Sequence, residues 1–111
     1  MSLPAPTHHG LLVLRVKAII DYHKRTQSFV HYKPLAQSVG QFSGGSPLAK
    51  ALGAIMDEDH RAGAPLSCAL VVSSVTGKPG DGFFTMARQL GYQFTDNDAF
   101  WTAQCKALGA L

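Results

Sequence analysis

Four neighbouring residues, 57-DEDH-60, form the densest group of side chains that could do chemistry. Carboxylates and an imidazole can ligate a metal ion, and a histidine beside a carboxylate can act as a general base. Successive residues of a helix are separated by about 100° around its axis, so these four side chains should diverge. The stretch is therefore predicted to be the solvated polar end of a helix, and no metal site is expected.

The two cysteines, Cys68 and Cys105, lie far apart and form no Cys-x-x-Cys pair. This count and spacing favour neither a zinc site nor a disulfide framework. No paired acid and base and no activated nucleophile can be recognised elsewhere in the chain. The sequence therefore predicts a protein that is not an enzyme and needs no cofactor.

The stretch 77-GKPGDG-82 lies between an apolar run and two phenylalanines and contains three glycines. Glycine allows backbone conformations that other residues rarely adopt. One interpretation is a tight turn, with positive φ at glycine and Asp81 as the N-cap of the next helix. A second is a wing tip that brings Lys78 to a nucleic-acid backbone. A third is an anion site made by the backbone amides of Gly77, Gly80 and Gly82. No Walker-type phosphate loop is present, and the three interpretations stay open.

The whole chain has the composition of one small globular domain. It has 111 residues, 46% of them hydrophobic and 15% charged, with a formal net charge of +3 and a pI of about 9.1. This excludes a disordered protein, and the positive charge permits contact with nucleic acid without requiring it. No apolar run or signal peptide suggests a membrane or an export route, so a cytoplasmic location is expected. We expect a flexible N-terminal tail over 1–10 and a single domain over 11–111.

Apolar spacing and terminal signals divide that domain into helices and short strands. A mostly helical α+β fold is expected. Ser46 should be the N-cap of the third helix, and 95-TDND-98 reads as a capping box before the last. The predicted helices are 11–27, 33–40, 47–62, 83–91 and 99–108, and the predicted strands are 28–32 and 68–75.

The segment 29–55 resembles the helix-turn-helix of winged-helix DNA-binding domains, most nearly those of the alkyltransferase-like proteins. The similarity rests on Tyr32, on the pair Leu35 and Ala36, on Gly40, and on the small residues from Ala49 to Leu52. It implies a winged-helix-like domain that binds double-stranded DNA without catalysis. The alkyl-transfer cysteine is not implied, because Pro65 is followed by Leu-Ser-Cys instead of Cys-His-Arg. The segment 63–84 also resembles a group of small uncharacterised bacterial proteins.

The resemblance implies a set of DNA-binding residues. A recognition helix contacts bases with residues near its start, which here gives Ser46 and Lys50. Lys78 would touch the backbone at the wing, and Lys24, Arg25 and Lys33 would supply further phosphate contacts. The alternative function is a protein-interaction module, in which the apolar face of the last helix forms a homodimer if it does not fold back on its own core. A small anion-binding protein that uses the Gly77–Gly82 loop is the third possibility.

Overall fold

The computed structural model of this chain describes residues 7–41 and 45–111, with the backbone alone for Gly45 and Ser46. These residues form a mostly helical α+β fold with one short parallel sheet. The elements, in chain order, are α1 (His8–Thr26), β1 (Val30–His31), α2 (Tyr32–Ser38), α3 (Gly45–Arg61), a 3₁₀ turn (Ser67–Leu70), β2 (Val71–Val72), α4 (Asp81–Gln89) and α5 (Asn97–Ala107).

The first helix buries Leu12, Val16 and Ile20, which recur every fourth residue along one face. Its N-cap is Thr7, whose hydroxyl oxygen accepts a hydrogen bond of 2.9 Å from the amide of Gly10. This cap starts the helix at His8, so the last three residues of the predicted tail are helical. Residues 1–6 lie outside the described part of the chain.

The sheet joins β1 to β2 in parallel, with Val30 opposite Val71 and His31 opposite Val72. The predicted strand 68–75 is wrong over most of its length, because a 3₁₀ turn occupies Ser67–Leu70 before the two-residue strand. Asp59 holds that turn: its carboxylate accepts hydrogen bonds from the Ser67 amide at 2.9 Å and the Ser67 hydroxyl at 2.6 Å. The apolar run reflects burial of the turn and not extended backbone.

The second and third helices lie between the two strands in sequence and follow the predicted ranges closely. Gly40 follows α2 with a φ of 77°, and Gly63 follows α3 with a φ of 66°. Left-handed backbone of this kind favours glycine and ends a helix. Because α3 begins at Gly45, Ser46 lies inside its first turn and is not the N-cap.

The last two helices complete the core, and both are capped one residue away from the predicted position. Gly80, and not Asp81, precedes α4 as its N-cap. Asp96, and not Thr95, caps α5 by accepting a hydrogen bond of 3.1 Å from the Ala99 amide. Both α4 and α5 begin two residues before their predicted starts at 83 and 99.

Three side chains dock α5 on the 3₁₀ turn. The Trp101 indole N–H donates to the Ala69 carbonyl at 2.9 Å, and the Gln104 side-chain oxygen accepts from the Leu66 amide at 2.8 Å. Cys105 is completely buried beside them. The helix thus folds back on its own core, which removes the condition under which its apolar face was expected to form a dimer. No helix in residues 7–41 and 45–111 is long and apolar enough to cross a membrane.

Candidate nucleic-acid interface

The outer ridge of α3 is the face that a recognition helix would present. Leu48, Ala51 and Ile55 are buried on the inner side of the helix. At about 100° per residue, Lys50, Asp57 and Arg61 fall on the far side of the helix, each more than about 110° from the centre of this buried face. Lys50 is exposed, close to the start of the helix. A cation therefore stands on the part of α3 that could enter a groove first.

Each acid at the far end of α3 has a partner. The Asp57 carboxylate lies 3.0 Å from the Arg61 side chain one turn later. Glu58 pairs with Lys17 of α1, and this hydrogen bond raises the pKa of Lys17 above its usual value. Asp59 accepts a hydrogen bond from the 3₁₀ turn. All three carboxylates of the predicted solvated polar end therefore have a partner within the protein. The described residues contain no group of metal-ligating side chains.

Four of the predicted phosphate-contacting cations are both exposed and free of an ion pair within the described ranges. Lys24 and Arg25 lie in the last turn of α1, Lys33 lies in the first turn of α2, and Lys50 lies on α3. Within the described ranges, none of the four has a carboxylate oxygen within 4.0 Å. They are therefore available to an anionic partner without breaking an internal ion pair.

Lys78 behaves differently, because its ammonium group lies 2.8 Å from the carboxylate of Asp98 in the first turn of α5. The chain runs from β2 through the Ser73–Gly80 turn directly into α4. No second wing strand therefore follows this turn in the described part of the chain. A phosphate could reach Lys78 only by competing with Asp98.

The glycine-rich turn uses its amides internally. The Ser73 amide donates to the Lys78 carbonyl at 2.9 Å, and the Gly77 amide donates to the Ser73 carbonyl at 2.8 Å. The Lys78 amide donates to the Thr76 hydroxyl at 3.2 Å. Gly77 has a φ of 70°, as the tight-turn interpretation requires. The remaining predicted anion-binding glycines, Gly80 and Gly82, flank Asp81, whose carboxylate would repel an anion at the start of α4.

Both cysteine thiols are buried and belong to the core. Burial raises the pKa of Cys105 to about 11 and raises the pKa of Cys68 further. The Cys68 thiol donates to the Leu52 carbonyl at 3.5 Å. Since the thiolate is the reactive form of cysteine, neither side chain is a nucleophile at neutral pH.

A groove that the sequence did not predict lies between α3 and α4, and we call it the α3–α4 groove. Its volume is about 620 Å³, and β2 and the Ser73–Gly80 turn contribute to its lining. Its α3 wall consists of Ala49, Leu52, Gly53 and Met56, of which the first three lie in the segment 29–55 that resembles a helix-turn-helix. Their i, i+3, i+4, i+7 spacing was visible, but such spacing does not distinguish a buried face from the wall of an open groove.

Comparison of the chain with protein-family models, curated proteins and solved structures finds no match. The winged-helix resemblance and the DNA-binding function stay predictions.

Proposed function

We propose that this domain binds duplex DNA without catalysing a reaction, with the first two turns of α3 in the major groove. Ser46 and Lys50 would contact base edges or position the helix, and Lys24, Arg25 and Lys33 would bind the phosphate backbone. The observation that carries the proposal is the distribution of ion pairs. The cations around α2 and α3 are exposed and free of the described carboxylates, whereas Asp57 and Glu58 are neutralised by Arg61 and Lys17.

This pairing answers the main electrostatic objection to α3 as a recognition helix. Two unpaired acids beside the DNA would repel phosphates as strongly as two lysines attract them. Once each acid has a cation within 4.0 Å, the pair carries no net charge, and its field falls off faster with distance than that of a lone carboxylate. The free charge near α2 and α3 is then positive. Lys78, paired with Asp98, should add little.

The proposal is tested by fluorescence anisotropy of a labelled duplex of about 20 base pairs in 50–200 mM salt. Three to four phosphate contacts predict a slope of log affinity against log salt of about −3 to −4. Lys50→Gln and Lys33→Gln should each weaken binding, and a lost phosphate contact should reduce the slope by about 1. Lys106→Gln is the matched control, because it removes the charge of an exposed lysine at the end of α5 that is not among the proposed DNA contacts.

Lys78→Gln tests whether the loss of DNA affinity depends on the proposed interface or only on the loss of one positive charge. It should change affinity less than Lys50→Gln does, because the wild-type lysine is already paired with Asp98. Absence of binding at tens of micromolar protein in 50 mM salt would refute DNA binding. Equal losses in the Lys50, Lys33 and Lys106 variants would refute the proposed surface.

A further inference from the structure

The α3–α4 groove is mostly apolar. The Met56 and Met86 thioethers, the Phe83 ring and the two β2 valines contribute to its lining, and Cys68 adds a neutral thiol. Methionine side chains are flexible and polarizable, so they adapt to ligands of different shape. The chemistry of the lining therefore suits a hydrocarbon or aromatic body and not a chain of sugars or phosphates.

Gly53 keeps this groove open at a cost to the helix that contains it. It lies in the interior of α3, where glycine is about 1 kcal/mol less favourable than alanine. A Cβ atom built there would lie 3.9 Å from the Met86 Cε atom, which is ordinary van der Waals contact. Packing in the described structure therefore does not require glycine at this position, and a larger side chain would project into the groove.

The polar groups of the lining are few. Lys33 is the one charged residue that lines the groove in the described chain; it is exposed and has no described carboxylate within 4.0 Å. Ser73, Ser74 and the Tyr32 phenol offer further hydrogen-bonding groups. An apolar ligand that carries one negative charge would pair that charge with Lys33.

The size of the groove favours a small molecule over a folded partner. Its α3 wall runs from Ala49 to Met56, which is about 10 Å of helix. Stable protein interfaces use about 20–30 residues on each side, whereas small-molecule sites have volumes of about 300–1,000 Å³. The volume of 620 Å³ lies well inside the second range.

We propose that the α3–α4 groove binds a small amphiphilic anion, whose aliphatic or aromatic body lies between α3 and α4 and whose single carboxylate pairs with Lys33. The site is independent of the proposed DNA binding, except that Lys33 belongs to both. Binding should therefore be measured on the full chain without DNA.

The probes are hexanoate, octanoate and octan-1-ol, titrated at neutral pH by isothermal calorimetry and by amide chemical-shift changes. Octanoate should bind with a dissociation constant of about 0.1–1 mM. Each added methylene should raise affinity about fourfold, which makes octanoate about fifteenfold tighter than hexanoate. Lys33→Gln should weaken octanoate binding about two- to fivefold, as expected for an exposed ion pair, and leave octan-1-ol unchanged.

Two variants that narrow the groove complete the test. Ala49→Trp should abolish binding of octanoate and octan-1-ol, and Gly53→Ala should weaken both while keeping the fold intact. The proposal fails if octanoate does not bind at 5 mM or if Ala49→Trp binds it as well as the wild type. It also fails if Lys33→Gln affects the alcohol and the acid equally. A dimer in sedimentation that Ala49→Trp disperses would assign the groove to a second copy and equally overturn the proposal.

Discussion

Replacing Gly53 by alanine tests the geometry of the α3–α4 groove through stability. The new methyl group would lie 3.9 Å from the Met86 Cε atom, so it adds contact without overlap. Alanine is favoured over glycine in a helix interior by about 0.5–1 kcal/mol. Gly53→Ala should therefore raise the free energy of unfolding by that amount, which corresponds to an increase in Tm of about 2–5 °C for a domain of this size.

Gly63→Ala is the matched control, since it is the same substitution just after the same helix. Gly63 has a φ of 66° and nothing within 4 Å of a built Cβ, so the cost comes from the backbone alone. Left-handed backbone is about 1–2 kcal/mol less favourable for alanine, and this variant should lose about that much stability. Gly53→Ala should thus raise the free energy of unfolding, and Gly63→Ala should lower it.

Urea unfolding followed by the fluorescence of Trp101 measures both variants, with a circular dichroism melt as the second probe. A stabilised Gly53→Ala variant with weaker octanoate binding would show that glycine keeps the groove wide at the expense of the helix. A destabilised Gly53→Ala variant would refute the reasoning, because α3 and α4 would then have to be closer than the 3.9 Å contact implies. Gly63→Ala must be destabilised in the same experiment for the comparison to hold.

Three further substitutions test the contacts that hold the core. Asp59→Ala leaves the buried Ser67 amide and hydroxyl without an acceptor and should destabilise the fold by about 2–3 kcal/mol, whereas Asp59→Asn keeps an acceptor oxygen and should lose less in urea unfolding. Trp101→Phe removes the donor to the Ala69 carbonyl and should cost about 1–1.5 kcal/mol by thermal melting. Because burial raises the pKa of Cys105 from 9.0 to about 11, the unfolded chain loses the thiol proton first, so the contribution of this thiol to stability should be constant below pH 9 and be lost between pH 9 and 11. Cys105→Ala should make that decline shallower, and an unchanged pH profile would contradict the assignment.

Periodicity in the sequence predicted helices α1 to α5 because apolar side chains recur at helical spacing on the side that packs against the core. In α1, for example, Leu12, Val16 and Ile20 are all buried. Glycine is the usual residue just after a helix, and Gly40, Gly63 and Gly91 each follow a helix with positive φ. The positions of the helices and of their ends could therefore largely be predicted from the sequence, because they depend on residues close together in the chain.

The errors arose where a distant residue decides the local structure. The run that starts at Cys68 has strand-like composition, but Asp59 of α3 binds the Ser67 amide and hydroxyl and bends the chain into a 3₁₀ turn. In the same way, Lys78 looked like a free cation until Asp98 of α5 was found 2.8 Å away. Sequence spacing contains no information about such partners when they lie on another element.

Partners on other elements also decide which cations of the candidate site are available to DNA. The winged-helix resemblance implied a set of DNA-binding cations that includes Lys78, whereas the described ion pairs leave Lys24, Arg25, Lys33 and Lys50 free and engage Lys78. Acids of α3 that should repel DNA are neutralised by Lys17, on another helix, and by Arg61 one turn away. The effective charge of a surface is thus set by which ions are already paired, and a net charge of +3 understates what the α2–α3 region can offer to a phosphate backbone.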